Sequence, residues 1–229
     1  MKTKINPLDT PVIAIDGFAG SGKGTARAIV AERLGFHQLD SGVLYRAVAL
    51  QSHRKGLKKI KQLEAVASRL NVTFIGKRII LDGRDETRII RSDKIGKIAS
   101  VVAQIPEVRM ALRRFQLGMR KPPGLVADGR DQGEIFDGSC RFFLETPAEI
   151  RAQRRVEEFK ARRQKADYEK ILAEIKRRDD ADINRKISPL KPHPRAWFID
   201  TRIPAEEVAD IIYGLFKKLG EHKLHGTTC

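Results

Sequence analysis

The stretch "DGFAGSGKGT", Asp16 to Thr25, carries four glycines and one lysine in ten residues. It follows the apolar run Val12-Ile13-Ala14-Ile15, which predicts a buried β-strand, and it leads into "ARAIVAERLG", which predicts a helix. Glycines let backbone N–H groups surround a phosphate, and the N-terminus of the following helix adds partial positive charge. The spacing Gly17-x-x-x-x-Gly22-Lys23 therefore predicts a P-loop that binds a nucleoside triphosphate. The residues predicted to bind the triphosphate are Gly17, Gly20, Ser21, Gly22, Lys23, Gly24 and Thr25.

The P-loop lysine is followed by Gly24, so the hydroxyl that usually contacts Mg²⁺ comes one position later, at Thr25. A second candidate for the metal is Asp128, at the end of the apolar stretch "GLVADGRD". Mg²⁺ prefers few carboxylates and several waters, so we expect Asp128 to act through a bound water. We expect no side chain to bind the metal directly.

The composition is strongly basic. Lysine and arginine number 45 against 29 aspartates and glutamates, a formal net charge of +16 in 229 residues. This balance indicates a polyanionic partner, which is a nucleic acid, an anionic membrane or a small phosphate-rich ligand. No apolar run reaches membrane-spanning length, so we expect no membrane partner. Cys140 and Cys229 are far apart in the sequence and indicate thiols in a reducing cytoplasm.

Strand and helix signals alternate along the chain, which predicts an α/β fold with a parallel five-stranded sheet of the P-loop NTPase type, flanked by helices. The five predicted strands are "PVIAIDG", "FHQLDSG", "GLVADGRD", "RFFLETP" and "RAWFIDT". Two stretches break the alternation: about 58–123 is predicted to be an inserted subdomain, and about 153–194 a basic helical lid. The core of this single domain is then 11–57, 124–152 and 195–220.

Three further motifs predict a second ligand site. "LDSGVLYR" places Ser41, Tyr45 and Arg46 along one side of a predicted pocket. "DGRD", Asp128 to Asp131, follows a buried strand at the end where open α/β sheets bind ligands. "RRDDADINR" aligns acids and arginines on one helix face, and taken alone this spacing favours a surface salt-bridge ladder. A second "DGRD", 82–85, follows "RIIL" and predicts a hairpin turn.

The order and spacing of "IDGFAGSGKGT", "LDSGVLYR", "VADGRD" and "RDDADINR" resemble those of the bacterial cytidylate kinases (CMP/dCMP kinases), a family of nucleoside monophosphate kinases. The resemblance covers about Val12 to Leu219. It implies Mg²⁺-dependent transfer of the γ-phosphate of ATP to CMP or dCMP, by a core that carries a monophosphate-binding insert and a lid.

The resemblance also implies roles for individual residues. Catalysis would depend on Lys23, Arg130, Arg178 and Arg185. The acceptor phosphate would be held by Ser41, Arg46, Arg130 and Arg185. The sugar and phosphate would be lined by Tyr45, Arg178 and Asp182. Cytosine would be read by Ser100, Arg109 and Asp131, and an acid and an arginine do complement its amino donor and its ring acceptors.

Two alternatives stay open at this point. One is a kinase for another nucleotide or for a shikimate-like acceptor. The other is a P-loop protein whose charge serves RNA, although aromatic residues are only 6% of the chain and no RNP-like aromatic motif occurs. We expect a cytoplasmic monomer whose partners are ATP and CMP or dCMP and not nucleic acid.

Overall fold

A parallel sheet forms the centre of the protein, for which a computed structural model describes residues 10–76 and 78–224, so that Cys229 lies outside the described part. Its strands are β1 (Val12–Gly17), β2 (His37–Asp40), β6 (Leu125–Gly129), β7 (Cys140–Glu145) and β8 (Trp197–Asp200). They run in the order β2-β6-β1-β7-β8, and every neighbouring pair is parallel. This confirms the five-stranded parallel sheet.

Helices cover both faces of this sheet. Alternate residues of a strand point to opposite faces, and Ile13 and Ile15 of β1 pack with α1 (Lys23–Leu34) and α10 (Ala205–Leu224). Val12 faces the other way, into a cluster that includes Val43 and other residues of α2 (Ser41–Arg54). The last helix was expected to end before Gly220, but it continues to Leu224.

The predicted insert packs on the main body through a shared hydrophobic core. Its helices are α3 (Ile60–Ser68), α4 (Thr87–Ile90), α5 (Asp93–Val102) and α6 (Pro106–Gly118), and its strands are β3 (Val72–Ile75), β4 (Arg78–Leu81) and β5 (Arg84–Asp85). These strands form a separate antiparallel sheet. The hairpin predicted at the second "DGRD" is present, with positive φ at Asp82 and Gly83. Leu63 and Val108 belong to the same buried cluster as Leu39 of the main sheet.

Three helices remain: α7 (Gln132–Ile135), α8 (Ala148–Ala161) and α9 (Tyr168–Ile183). The last two pack together through a small apolar cluster of their own, which contains Val156 and Ile175. Helix α8 is continuous from Ala148, so the expected boundary between core and lid, after residue 152, falls inside it. Among the described helices, none is both long enough and apolar enough to cross a membrane.

The turn at the end of β1 requires a glycine. Gly17 has φ +145°, and a Cβ there would overlap the carbonyl oxygen of Leu144 on the neighbouring strand. Gly17→Ala should therefore lower the free energy of unfolding by about 2 kcal/mol or more. Gly24→Ala is the control, because its Cβ meets nothing within 4 Å and alanine is the better helix former. Urea unfolding compares the two variants, and equal midpoints would contradict the steric argument.

Candidate active site

The P-loop connects β1 to α1 at the carboxyl end of the sheet. Gly20 and Gly22 adopt left-handed backbone conformations, with φ of 79° and 83°. Gly22 caps α1, and within the described chain no side chain caps the N-terminus of this helix. The first N–H groups of α1 therefore remain available to an anion. Ser21 is fully buried, whereas Gly24 and Thr25 are exposed on the first turn of the helix.

Lys23 is buried inside this loop. Its Nζ donates to the carbonyl of Phe18, and to the hydroxyl of Ser21 at 3.3 Å. Burial lowers the pKa of Lys23 to about 7, and the nearby charges of Arg130 and Arg178 act in the same direction. The lysine is thus a cation that a bound anion would stabilise.

Asp128 is paired with a cation of the protein. Arg27, one turn after Lys23 in α1, donates to the Asp128 carboxylate and lies 3.6 Å from that of Asp40. Burial raises the pKa of Asp128, although Arg27 opposes the shift. The described residues contain no group of three or more histidine, cysteine or acidic side chains that suits a metal ion. One partly engaged carboxylate and the exposed Thr25 hydroxyl would suit a Mg²⁺ ion that keeps most of its waters.

Three arginines surround Asp182. Arg130 Nε donates to Asp182 Oδ2 at 2.8 Å, and Arg185 Nη1 lies 3.8 Å from Oδ1. Arg185 follows the end of α9, so it approaches Asp182 from beyond the helix and not from one helix face as the spacing predicted. Burial, with a contribution from Arg130, lowers the pKa of Arg178 to about 10, and burial also lowers that of Arg185. The cluster is short of negative charge, as a phosphate-binding site should be.

The "LDSGVLYR" residues make different contacts. Ser41 Oγ donates to the carbonyl of Asp128 at 2.9 Å, which ties α2 to the end of β6. Arg46 Nη1 donates to the carbonyls of Ile90 and Ser92 at 2.8 and 3.0 Å, where α4 leads into α5. A Cβ on Gly96 would come within 2.8 Å of the Arg46 guanidinium, so α5 lies directly against it. Arg46 thus sits at the joint between core and insert.

The predicted base readers are only partly brought together. Arg109 pairs with the buried carboxylate of Asp131, and its Nη1 donates to the carbonyl of Ala103 at 3.1 Å. The guanidinium of Arg109 also lies 5.5 Å from the centre of the Tyr45 ring, and burial raises the pKa of Tyr45 to about 12. Ser100 Oγ instead donates to the carbonyl of Gly96 within α5.

The sequence prediction missed three buried charges beside the site: Asp16, Arg27 and Arg151. Asp16 accepts hydrogen bonds from the backbone N–H groups of Gln132 and Gly133, at 2.9 and 2.8 Å. Burial raises the pKa of Asp16 to about 7. A charged residue at the end of an apolar strand was the available signal for Asp16, whereas the two arginines lie in helices that also carry exposed charges, such as Glu32 in α1 and Glu157 in α8.

Known proteins match nearly the whole chain. A model of the cytidylate kinase family matches residues 13–218. The cytidylate kinase of Pseudomonas aeruginosa is 42% identical over 213 residues, covering 88% of this chain and 93% of the relative. That of Neisseria gonorrhoeae is also 42% identical over 213 residues, covering 91% and 98%. A solved structure of an uncharacterized protein from Eubacterium ventriosum, 12% identical, covers 92% of this chain and 99% of its own, and its TM-score of 0.52 shows a shared fold alone.

The state of Lys23 predicts that phosphate binding takes up a proton. Near pH 8 a lysine with a pKa lowered to about 7 is mostly neutral, and a bound triphosphate raises that pKa by favouring the charged form. ATP binding should then take up roughly one proton, and the affinity should fall as the pH rises above about 7. Calorimetry in two buffers of different ionisation enthalpy measures this uptake. Lys23→Met should abolish it, and an unchanged uptake in that variant would assign the proton to another group.

Proposed function

The chain belongs to the cytidylate kinase family, and from that premise we propose how its residues carry out the family's reaction. In this reaction the γ-phosphoryl group of ATP passes to CMP or dCMP and gives ADP with CDP or dCDP. The residue assignment depends on one observation, the largely buried cluster of cations at the carboxyl end of the sheet. There Lys23 lies close enough to Arg130 and Arg178 for their charges to lower its pKa.

On the donor side, the P-loop N–H groups and Lys23 hold the phosphates of ATP. Lys23 would exchange its contact with the Phe18 carbonyl for phosphate oxygens, which are stronger acceptors because they are charged. Thr25 and Asp128 would hold Mg²⁺ through its bound waters, and the ion would neutralise charge on the transferring group when bound. A cavity of about 470 Å³ beside the P-loop, lined in part by Phe18, Pro147 and Arg202, offers room for the base of ATP.

On the acceptor side, the monophosphate is held by Ser41, Arg46, Arg130 and Arg185. Its sugar and phosphate are lined by Tyr45, Arg178 and Asp182. Phosphoryl transfer gains most from positioned positive charge, because charge spreads over the equatorial oxygens in the transition state. A phosphate oxygen is already anionic near neutral pH, so the acceptor needs no general base. Lys23, Arg130, Arg178 and Arg185 are therefore proposed as the catalytic residues.

The base is read by Arg109, which Asp131 orients, and by Ser100 of the insert. Both carboxylate oxygens of Asp131 already accept from protein groups, Oδ2 from Arg109 Nη2 and Oδ1 from Gln132 Nε2. This favours an indirect role, in which the fixed guanidinium donates to the O2 and N3 acceptors of cytosine. Uracil carries a hydrogen on N3, so donor would meet donor.

Membership of the cytidylate kinase family also implies a role for each of the two stretches that interrupt the core. Residues 58–123 would bind the monophosphate, and 153–194 would close over the site. Closure excludes water, which would otherwise compete with the acceptor for the γ-phosphate of ATP.

The test of this function is an assay of ADP release coupled to a reporter, run with CMP, dCMP, UMP and AMP. CMP and dCMP should give the highest kcat/KM. A preference for AMP, or ATP consumption that no monophosphate accelerates, would contradict the proposal. The same panel separates a cytidylate kinase from a kinase for another nucleotide.

Asp131→Ala should lower base discrimination. Without its carboxylate the Arg109 guanidinium is free to turn, so the ratio of kcat/KM for CMP over UMP should fall by about tenfold, the worth of one strong hydrogen bond. The loss for CMP should be mainly in KM. Asp137→Ala is the control, because the Asp137 side chain is fully exposed. An unchanged ratio with equal losses of kcat on both substrates would show that Asp131 does not act on the base.

A further inference from the structure

Arg151, near the start of α8, joins three separate parts of the protein. Its Nε donates to the carbonyl of Thr146, just after β7, at 2.9 Å. Its Nη1 donates to the carbonyl of Ala19, inside the P-loop, at 3.1 Å, and the guanidinium lies 5.1 Å from the centre of the Phe18 ring. The side chain is only 3% exposed, so these N–H groups depend on protein acceptors.

The third part is α9, which Arg151 reaches through Asp179. The two carboxylate oxygens of Asp179 accept from Nη1 and Nη2 of Arg151 at 3.0 and 2.5 Å. Such a two-point contact fixes the orientation of both side chains. Asp179 continues the stripe of Ile171 and Ile175, which packs against α8 at i+4 spacing. The face of α9 that contacts α8 therefore ends in an ion pair.

The residue beside Asp179 points into the active site. Arg178 lies about 100° around the helix from Asp179, on the side that faces Arg130 and Lys23. The positive charge of Arg178 helps to lower the pKa of Lys23. Within the described chain the buried Nε of Arg178 has no hydrogen-bond partner. Because a helix rotates as a unit, whatever fixes Asp179 also fixes the direction of Arg178.

We propose that Asp179 is a positioning residue that, through Arg151, locks α9 to the P-loop in the rotation that aims Arg178 at the transferring phosphate. The inference rests on the role proposed above for Arg178. A buried ion pair adds little stability compared with well-packed apolar side chains, since both charges lose their water. The pair instead fixes the orientation of α9, because the guanidinium of Arg151 binds both the P-loop and α9.

The first test is Asp179→Asn in the full-length protein, which keeps the shape of the side chain and removes its charge and one acceptor. At saturating ATP and CMP, kcat should fall by about tenfold, while both KM values change by less than about twofold. Asp180→Asn is the matched control, because Asp180 is the next residue, is exposed and accepts only from Asn184 among the described hydrogen bonds. It should keep the wild-type kcat.

The second test is a double-mutant cycle with Arg178→Met. If Asp179 acts through Arg178, then Asp179→Asn should not slow Arg178→Met any further. A full additional loss in the double variant, or wild-type kcat in Asp179→Asn alone, would overturn the inference while the role of Arg178 stands. A wild-type kcat in Arg178→Met would instead reject the proposed role of Arg178, and the inference with it.

A second variant covers the case in which Asp179→Asn does not fold, as judged by circular dichroism. Arg151→Lys keeps a cation beside Asp179, but a single ammonium group cannot reproduce the fork that reaches Asp179, Ala19 and Thr146 together. In the same double-mutant cycle, Arg151→Lys alone should lower kcat, and it should not lower the kcat of Arg178→Met any further. A wild-type kcat or full additivity would overturn the inference.

Discussion

Uncompensated positive charge at the carboxyl end of the sheet is the constraint on which the rest of the site depends. Lys23, Arg130, Arg178 and Arg185 gather around few carboxylates, and burial with mutual repulsion lowers the pKa of Lys23 to about 7 and that of Arg178 to about 10. Holding these cations together costs free energy in the absence of ligand. In the proposed function, the phosphates of the two nucleotides would offset that cost, so that the charges that oppose each other in the free protein would favour the ligand-bound state.

The parallel sheet is what brings the cations together. In the register of β1 with β6, Asp16 lies opposite Gly129, so the P-loop and the "DGRD" segment leave the sheet side by side. Asp16 then fixes the two segments to each other, because it accepts from the backbone N–H groups that follow Asp131. On the other edge of β6, Ser41 makes a similar link between α2 and the carbonyl of Asp128. Motifs far apart in the chain become one site through these short polar links.

The sequence predicted the main sheet and the P-loop because both have local signals, apolar strands and a fixed glycine spacing. It did not predict β5, which has only two residues. It also did not predict the start of α8, because the buried residues of this helix lie among basic residues and form no clear apolar pattern. Arg27 and Arg151 were missed for the same reason. A charged residue in a helix is usually exposed, and only the packing of α1 and α8 against the loops shows that these two are buried. The pairing of Arg109 with Asp131 connects α6 to the turn that follows β6, and no local sequence pattern indicates it.

The insert and the α8–α9 pair are attached to the rest of the protein by different kinds of contact, which bears on the proposed closure of the lid. The insert shares apolar side chains with the main sheet, and such contacts cannot be exchanged for contacts to a phosphate. Helices α8 and α9 have a small cluster of their own and meet the insert through exposed ion pairs, Arg155 with Asp93 and Lys97 with Glu174. Exposed pairs of this kind contribute only about 0–1 kcal/mol each, so ligand binding can replace them. With Arg151 and Asp179 as the fixed point near the P-loop, we therefore expect closure to change the contact between α8–α9 and the insert more than it changes either core.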